Sequence, residues 1–177
     1  MRLPILIPAA SILLSLAAPA AAQEIFAGFY VHEVDTPFSL SVGESGVDVA
    51  AGYRFAPSEV LRFIGRPQPY LHASVNSAGD TSFAGGGLSW RLGEGPVYVR
   101  PGVGLIIHDG PSSRIVDGRH TELGSRVLFE PELAVGYRLD ERVSLEASWV
   151  HISQARLFNR RQNPGIDMIG LRANLRL

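Results

Sequence analysis

Apolar and polar residues alternate singly, run after run, in this chain, and no segment past the first two dozen residues keeps a 3.6-residue period over helical length. In 143–153, VSLEASWVHIS, the odd positions hold Val143, Leu145, Ala147, Trp149, His151 and Ser153; Ser144, Glu146, Ser148, Val150 and Ile152 lie between them. In 126–138 the odd set is Val127, Phe129, Pro131, Leu133, Val135 and Tyr137, against Arg126, Glu130, Glu132, Gly136 and Arg138. In 167–177 Ile169, Leu171, Ala173, Leu175 and Leu177 alternate with Arg172, Asn174 and Arg176. Less regular versions fill 46–55, 70–76, 82–92 and 97–108, and 24–32 makes a weak first run. Period two marks strands whose two faces meet different surroundings, so the pattern predicts an all-β fold of eight strands.

The connections narrow the choice. Asp140-Glu141 and Gly93-Glu94-Gly95 read as tight turns, whereas 33–45, 108–124 and 154–164 are long; 56–69 is the exception, longer than a turn. Long loops at one end and mostly short turns at the other predict an antiparallel transmembrane β-barrel of the bacterial outer membrane. The chain opens MRLPILIPAASILLSLAAPAAAQE, with Arg2 as its only early charge and small residues before Gln23. That predicts a secretory signal peptide over 1–22 and a single barrel domain over 23–177. No later apolar run approaches the roughly 20 residues of a membrane helix. There is no cysteine to supply disulfides, and a net charge of −1 weighs against a nucleic-acid partner.

A soluble β-barrel or sandwich, apolar face inward, is the structural alternative. The polar face favours the membrane. It combines Arg54, Arg100, Arg138, Arg172 and Arg176 with Asp48, Glu130, Glu132 and Glu146, and intersperses Gly52, Gly85, Gly87, Gly102, Gly104 and Gly136. Lysine, common on soluble surfaces, is absent. Balanced charges among glycines suit a narrow lumen that side chains fill, so no open pore is expected. Pro101 and Pro131 fall inside predicted strands and lead us to expect bulges or local register breaks there.

One stretch carries chemistry: HISQARLFNRRQNPGID, residues 151–167. His151 and Ser153 continue the outward parity of their run, about 6–7 Å apart along the strand. Asp167 holds the same parity on the next run, which a loop joins to the first. All three are therefore expected at the loop end of one hairpin, on the outer wall. A solvated rim accounts for them blandly. A hydrolase acting on a membrane lipid accounts for more, because lipid ester bonds lie where the apolar face ends. In that reading Ser153 is the nucleophile, His151 its base and Asp167 the acid that orients the imidazole. Backbone N–H groups just after Ser153 and the side chain of Asn163 are candidates for the oxyanion hole.

The runs H-I-S-Q-A and N-P-G-I-D resemble the signature of the lipid A 3-O-deacylase (PagL-like, acyloxyacyl hydrolase) family over about 143–177. The resemblance implies an eight-stranded outer-membrane barrel with an outward-facing site that removes the 3-O-linked acyl chain of lipid A without a cofactor. Residue by residue it places the base on His151, the nucleophile on Ser153 and the acid on Asp167, with oxyanion donors at the Ala155 amide and Asn163. Gln154 stands where the family usually has Asn, and Asp167 where its best-known members have the longer Glu. The shorter acid requires a close approach of the two strands, and Asp167→Glu is expected to keep activity.

Arg156, Arg160 and Arg161 cluster in the loop above these residues. They read either as a solvated loop or as a site for the phosphates of lipid A. His32, His72, His108 and His120 show no metal-ligand spacing, and AGGG at 84–87 lacks the following helix of a phosphate loop. The competing functions are a non-catalytic barrel with a structural or surface-interaction role and a soluble lipid-binding barrel. Oligomeric state stays open, a homodimer being one option.

Overall fold

The computed structural model describes residues 23–39, 43–110, 123–157 and 164–177. The expected signal peptide, residues 1–22, lies outside them. The strands are β1 (Glu24–Val31), β2 (Val47–Arg54), β3 (Gln68–Asn76), β4 (Phe83–Ser89), β5 (Val97–His108), β6 (Val127–Arg138), β7 (Val143–Ser153) and β8 (Gly165–Arg176). Each pairs antiparallel with its neighbour in sequence, and β1 closes on β8 from Glu24↔Arg176 to Val31↔Ile169. The eight expected strands are all present, with ends shifted by a few residues. One shift matters below: β8 starts at Gly165, two residues before the expected start.

The apolar faces point outward. Phe29, Leu71, Val75, Ile107, Val135, Leu145 and Leu171 are all exposed on the wall, a ring of surface that only a hydrocarbon surrounding can cover. This excludes the soluble alternative and makes the chain an integral outer-membrane barrel. Trp90, Tyr53, Phe55 and Tyr137 lie toward the short-turn end, where an aromatic girdle meets the membrane boundary.

The lumen has two storeys. Nearer the short turns, three buried guanidinium groups interleave with three buried carboxylates. Arg172 grips Glu132 with both terminal nitrogens, one at 2.8 Å, and donates Nε to Glu146 at 2.5 Å. Arg100 donates to Glu146 at 2.8 Å, Glu24 at 2.9 Å and Gln68 at 2.7 Å. Arg54 bonds Asn174 at 2.6 Å and Glu24 at 3.2 Å and lies over the Phe26 ring. Glycines make the room: a Cβ on Gly136 would strike the Tyr98 ring at 2.2 Å. Arg138 and Arg176, expected among these groups, instead reach the rim and are not buried. Nearer the long loops an apolar cluster of Tyr30, Ile106, Leu123, Leu128, Val150, Ile152, Ile166 and Met168 packs in the lumen, beside the buried pair of Glu130 and His72.

Neither proline bends the register. Pro101 lies where β4 ends, and its carbonyl accepts the Trp90 amide at 3.0 Å, so its missing donor falls at a ladder end. Pro131 leaves the β5–β6 register intact and interrupts β6–β7 pairing only between Phe129↔Ser153 and Glu132↔Val150. The bulges expected at these positions are absent because the missing N–H costs one bond on one side, less than shifting a whole strand's faces.

Glu146 ties Arg100 and Arg172 together, so Glu146→Ala leaves three buried cations facing two carboxylates. We expect it to lower barrel stability by about 3–5 kcal/mol, read as a lower urea midpoint for unfolding from detergent micelles.

Candidate functional site

Register assembles the candidate site. In the β7–β8 pair His151 faces Asp167 and Ser153 faces Gly165. Odd residues of both strands point outward, so the three expected residues share the outer face at the long-loop end. Directly opposed residues on one face bring their Cβ atoms within about 5 Å, which is the close approach of the two strands that the shorter Asp requires. His151 Nδ1 lies 2.8 Å from Asp167 Oδ1. With a carboxylate as its partner, Nδ1 carries the proton, and the neutral ring keeps a lone pair on Nε2.

Gly165 aims that second nitrogen. A Cβ on Gly165 would meet His151 Cε1 at 2.5 Å and Nε2 at 3.0 Å. The far edge of the imidazole thus occupies the space a side chain would take, on the rung it shares with Ser153. The histidine leans toward the serine because its cross-strand diagonal neighbour has no side chain.

Sequence reasoning missed how Asp167 is held. The carboxylate is fully buried although it faces the lipid side. Besides His151 it accepts the Trp149 indole N–H at 2.9 Å on Oδ1, and the hydroxyls of Ser39, at 2.5 Å, and Thr36 on Oδ2. The Asp167 carbonyl accepts the Val34 amide at 2.8 Å. Four donors around one carboxylate compensate it for lost water. Thr36 to Ser39 forms a closed turn: the Thr36 amide donates to the Ser39 carbonyl at 2.9 Å, and Thr36 Oγ1 accepts the Phe38 amide at 3.0 Å. Phe38 then lies 5.3 Å from the Trp149 ring and 6.4 Å from His151. The sequence signal was only a hydroxyl-bearing turn, T-P-F-S, in a long loop; nothing in it points across 131 positions to Asp167.

The same β1–β2 loop is fastened on the lumen side. His32 bonds Asp48 through Nδ1 at 2.7 Å and Glu44 through Nε2 at 2.8 Å; Thr81 also donates to Glu44, and Asn76 to Asp48. Burial opposes a charge on His32, but the two carboxylates outweigh it and raise its pKa to about 9. His108, at the β5 end, bonds the Ser125 carbonyl. Among the described residues no cluster of histidine and acidic side chains could hold a metal ion.

After Ser153 the chain turns sharply. Leu157 N–H donates to the Gln154 carbonyl at 3.0 Å, and Ala155 and Arg156 both adopt left-handed backbone, φ 53° and 58°. This is a type I′ turn built without glycine, at about 1–2 kcal/mol for each such residue. Strain of this kind concentrates at functional sites. Arg156 is exposed on the turn. Asn163, Arg160 and Arg161 lie outside the described residues.

A protein-family model described as lipid A 3-O-deacylase (PagL) matches residues 46–176, more than half of the chain. The chain belongs to that family. The match runs from β2 onward, well beyond the 143–177 stretch that carries the sequence resemblance. Among solved structures, the outer membrane enzyme PagL aligns with a TM-score of 0.61 at 18% identity, covering 87% of this chain and 99% of that one. Neisserial surface protein A (NspA) aligns with a TM-score of 0.51 at 12% identity, covering 88% and 97%. At these identities both likenesses are of fold. No curated protein sequence matches.

Because the pKa of His32 is raised on folding, its contribution is complete below its unfolded value of about 6.5 and is lost as pH rises through about 9. The opening free energy at the Val34 amide, from hydrogen exchange corrected for intrinsic rate, should fall over that window by on the order of 3 kcal/mol at most. His32→Gln should flatten the profile.

Proposed function

We propose that this chain is a serine esterase that removes the 3-O-linked acyl chain of lipid A in the outer membrane, with Ser153 as nucleophile, His151 as general base and Asp167 as the orienting acid. The observation that carries this reading is the placement of the imidazole on the lipid-facing wall: Nδ1 on the Asp167 carboxylate, and the Nε2 edge over Gly165, the cross-strand partner of Ser153. Family membership supplies the substrate class.

The chemistry follows from those positions. Nε2 of His151 takes the Ser153 hydroxyl proton as Oγ attacks the ester carbonyl at the 3-position. Asp167 stabilises the imidazolium that forms. The tetrahedral oxyanion is met by the Ala155 amide, displayed by the strained turn, and by the side chain of Asn163. Collapse breaks the bond to the sugar oxygen, which receives the proton from His151, and leaves the acyl group on Ser153. Water, deprotonated by His151, then releases the fatty acid and restores the hydroxyl. Arg156, with Arg160 and Arg161, would hold the phosphates of lipid A outside the reacting bond. No cofactor enters the scheme.

Lipid A from outer membranes that contain the folded protein should lose the mass of one ester-linked hydroxyacyl chain, and Ser153→Ala should abolish the loss while the barrel still migrates as folded. Unchanged lipid A mass with abundant wild-type barrel would favour a non-catalytic surface role.

Two conservative changes test the positioning. In Gly165→Ala the new methyl group displaces the imidazole, and kcat should fall about 10²-fold, the scale of an ångström misplacement. Asp167→Glu adds a methylene to a fully enclosed carboxylate. Overpacking of this kind costs about 1–3 kcal/mol, so kcat should drop, which reverses the expectation drawn from sequence. Single-turnover kinetics on detergent-solubilised lipid A reads both.

A further inference from the structure

The β2–β3 connection is the one long segment at the short-turn end, and neither the fold nor the proposed chemistry uses it. It continues as a narrow hairpin beyond β2 and β3, with Phe55 N–H on the Pro69 carbonyl at 2.8 Å and Ser58 N–H on the Pro67 carbonyl at 2.9 Å. It then coils into a compact turn, with bonds from Leu61 to Ser58, Arg62 to Glu59, Ile64 to Leu61 and Gly65 to Arg62, closing on a 3-10 turn at Arg62–Ile64. In such coils residues three apart eclipse one another. Val60 and Phe63 therefore share a face, and they are 84% and 78% exposed. A water-soluble turn of this length would bury such side chains or replace them.

The turn is fastened to the lipid-facing wall. Trp90, outward by parity just beyond β4, donates its indole N–H to the Ile64 carbonyl at 2.8 Å. Gly65 packs on the same indole: a Cβ there would meet Trp90 Cδ1 and Nε1 at 3.5 Å. Its left-handed backbone, φ 90°, turns the chain back toward the barrel. The exposed apolar face thus continues the apolar wall across a tryptophan of the boundary girdle. Arg62, Arg66 and Glu59 give the turn a charged margin, Arg66 pairing with Glu59. An apolar face, a charged margin and a position at girdle height are the components of an interfacial membrane anchor.

We propose that Ser58–Arg66 is a membrane-surface foot: it lies in the periplasmic leaflet with Val60 and Phe63 inserted at the boundary between headgroups and acyl chains, and the guanidinium groups of Arg62 and Arg66 reach the lipid phosphates. The occupant of this apolar face is the bilayer and not a periplasmic protein. The foot works independently of the esterase reading.

The cysteine-free sequence allows a direct test. Phe63→Cys in the full-length protein is labelled with the environment-sensitive fluorophore NBD and refolded into vesicles of phosphatidylethanolamine and phosphatidylglycerol. Asp140→Cys, in the β6–β7 turn, serves as the aqueous control. The Phe63 label should emit to the blue of the control, lose about half its intensity or more to lipids brominated near the headgroup end of the chains, and resist iodide. A Phe63 label that matches the control in emission and iodide quenching would overturn the proposal and leave the face to a soluble partner. Val60→Cys, labelled in the same way, keeps the test valid if the Phe63 variant fails to fold, which heat-modifiable migration reports.

Discussion

The arginine–carboxylate lattice in the lower lumen is the constraint on which the rest of the barrel depends. Arg54, Arg100 and Arg172 meet Glu24, Glu132 and Glu146 in space too narrow for water to satisfy them. Each member is costly to bury alone and acceptable only with its partners in place. The lattice draws on strands β1, β2, β5, β6, β7 and β8, so it is complete only when the barrel has closed in one register. A slip by one residue would send these charges into the hydrocarbon. The outward placement of His151, Ser153 and Asp167 follows from the same choice of faces.

Above that lattice an apolar cluster packs beneath β7 and β8, and this is what makes an outer-wall site rigid. Val150, Ile152, Ile166 and Met168 alternate with Trp149, His151 and Asp167 on the same two strands, and their packing locks the backbone from which the outer side chains project. The β1–β2 loop completes the enclosure from outside. It converts a carboxylate facing lipid into one held by four donors. The shorter acid thereby becomes an advantage: it fits a cage that a longer side chain would strain.

Much of this was legible in the sequence, for reasons that lie in the periodicity. Strict alternation in 143–153 and 167–177 fixed faces, and consecutive strands joined by one loop fixed pairing, so the union of His151 with Asp167 needed no further information. The lumen charges were readable because arginine and glutamate recur with even parity among glycines. What the sequence could not show were contacts without periodicity. Thr36 and Ser39 belong to a loop whose only local signature is a turn, and their reach to Asp167 depends on barrel closure between β1 and β8. Gly165 reads as a turn residue before a strand, yet its lack of a side chain shapes the imidazole's position. Pro101 and Pro131 suggested distortion because local rules treat every strand N–H as paired on an equal footing, whereas a closed barrel tolerates one missing bond.

Pro131 has a wider effect through its place in the register. The gap it leaves in the β6–β7 seam falls beside His151 and Ile152, while β7 and β8 stay paired without interruption from Val143↔Leu175 to Ser153↔Gly165. The hairpin that carries all three polar residues is therefore stitched tightly along one edge and loosely along the other. The one break in pairing thus falls on the β6 side of the hairpin, and the spacing of serine, histidine and aspartate rests on the unbroken seam with β8.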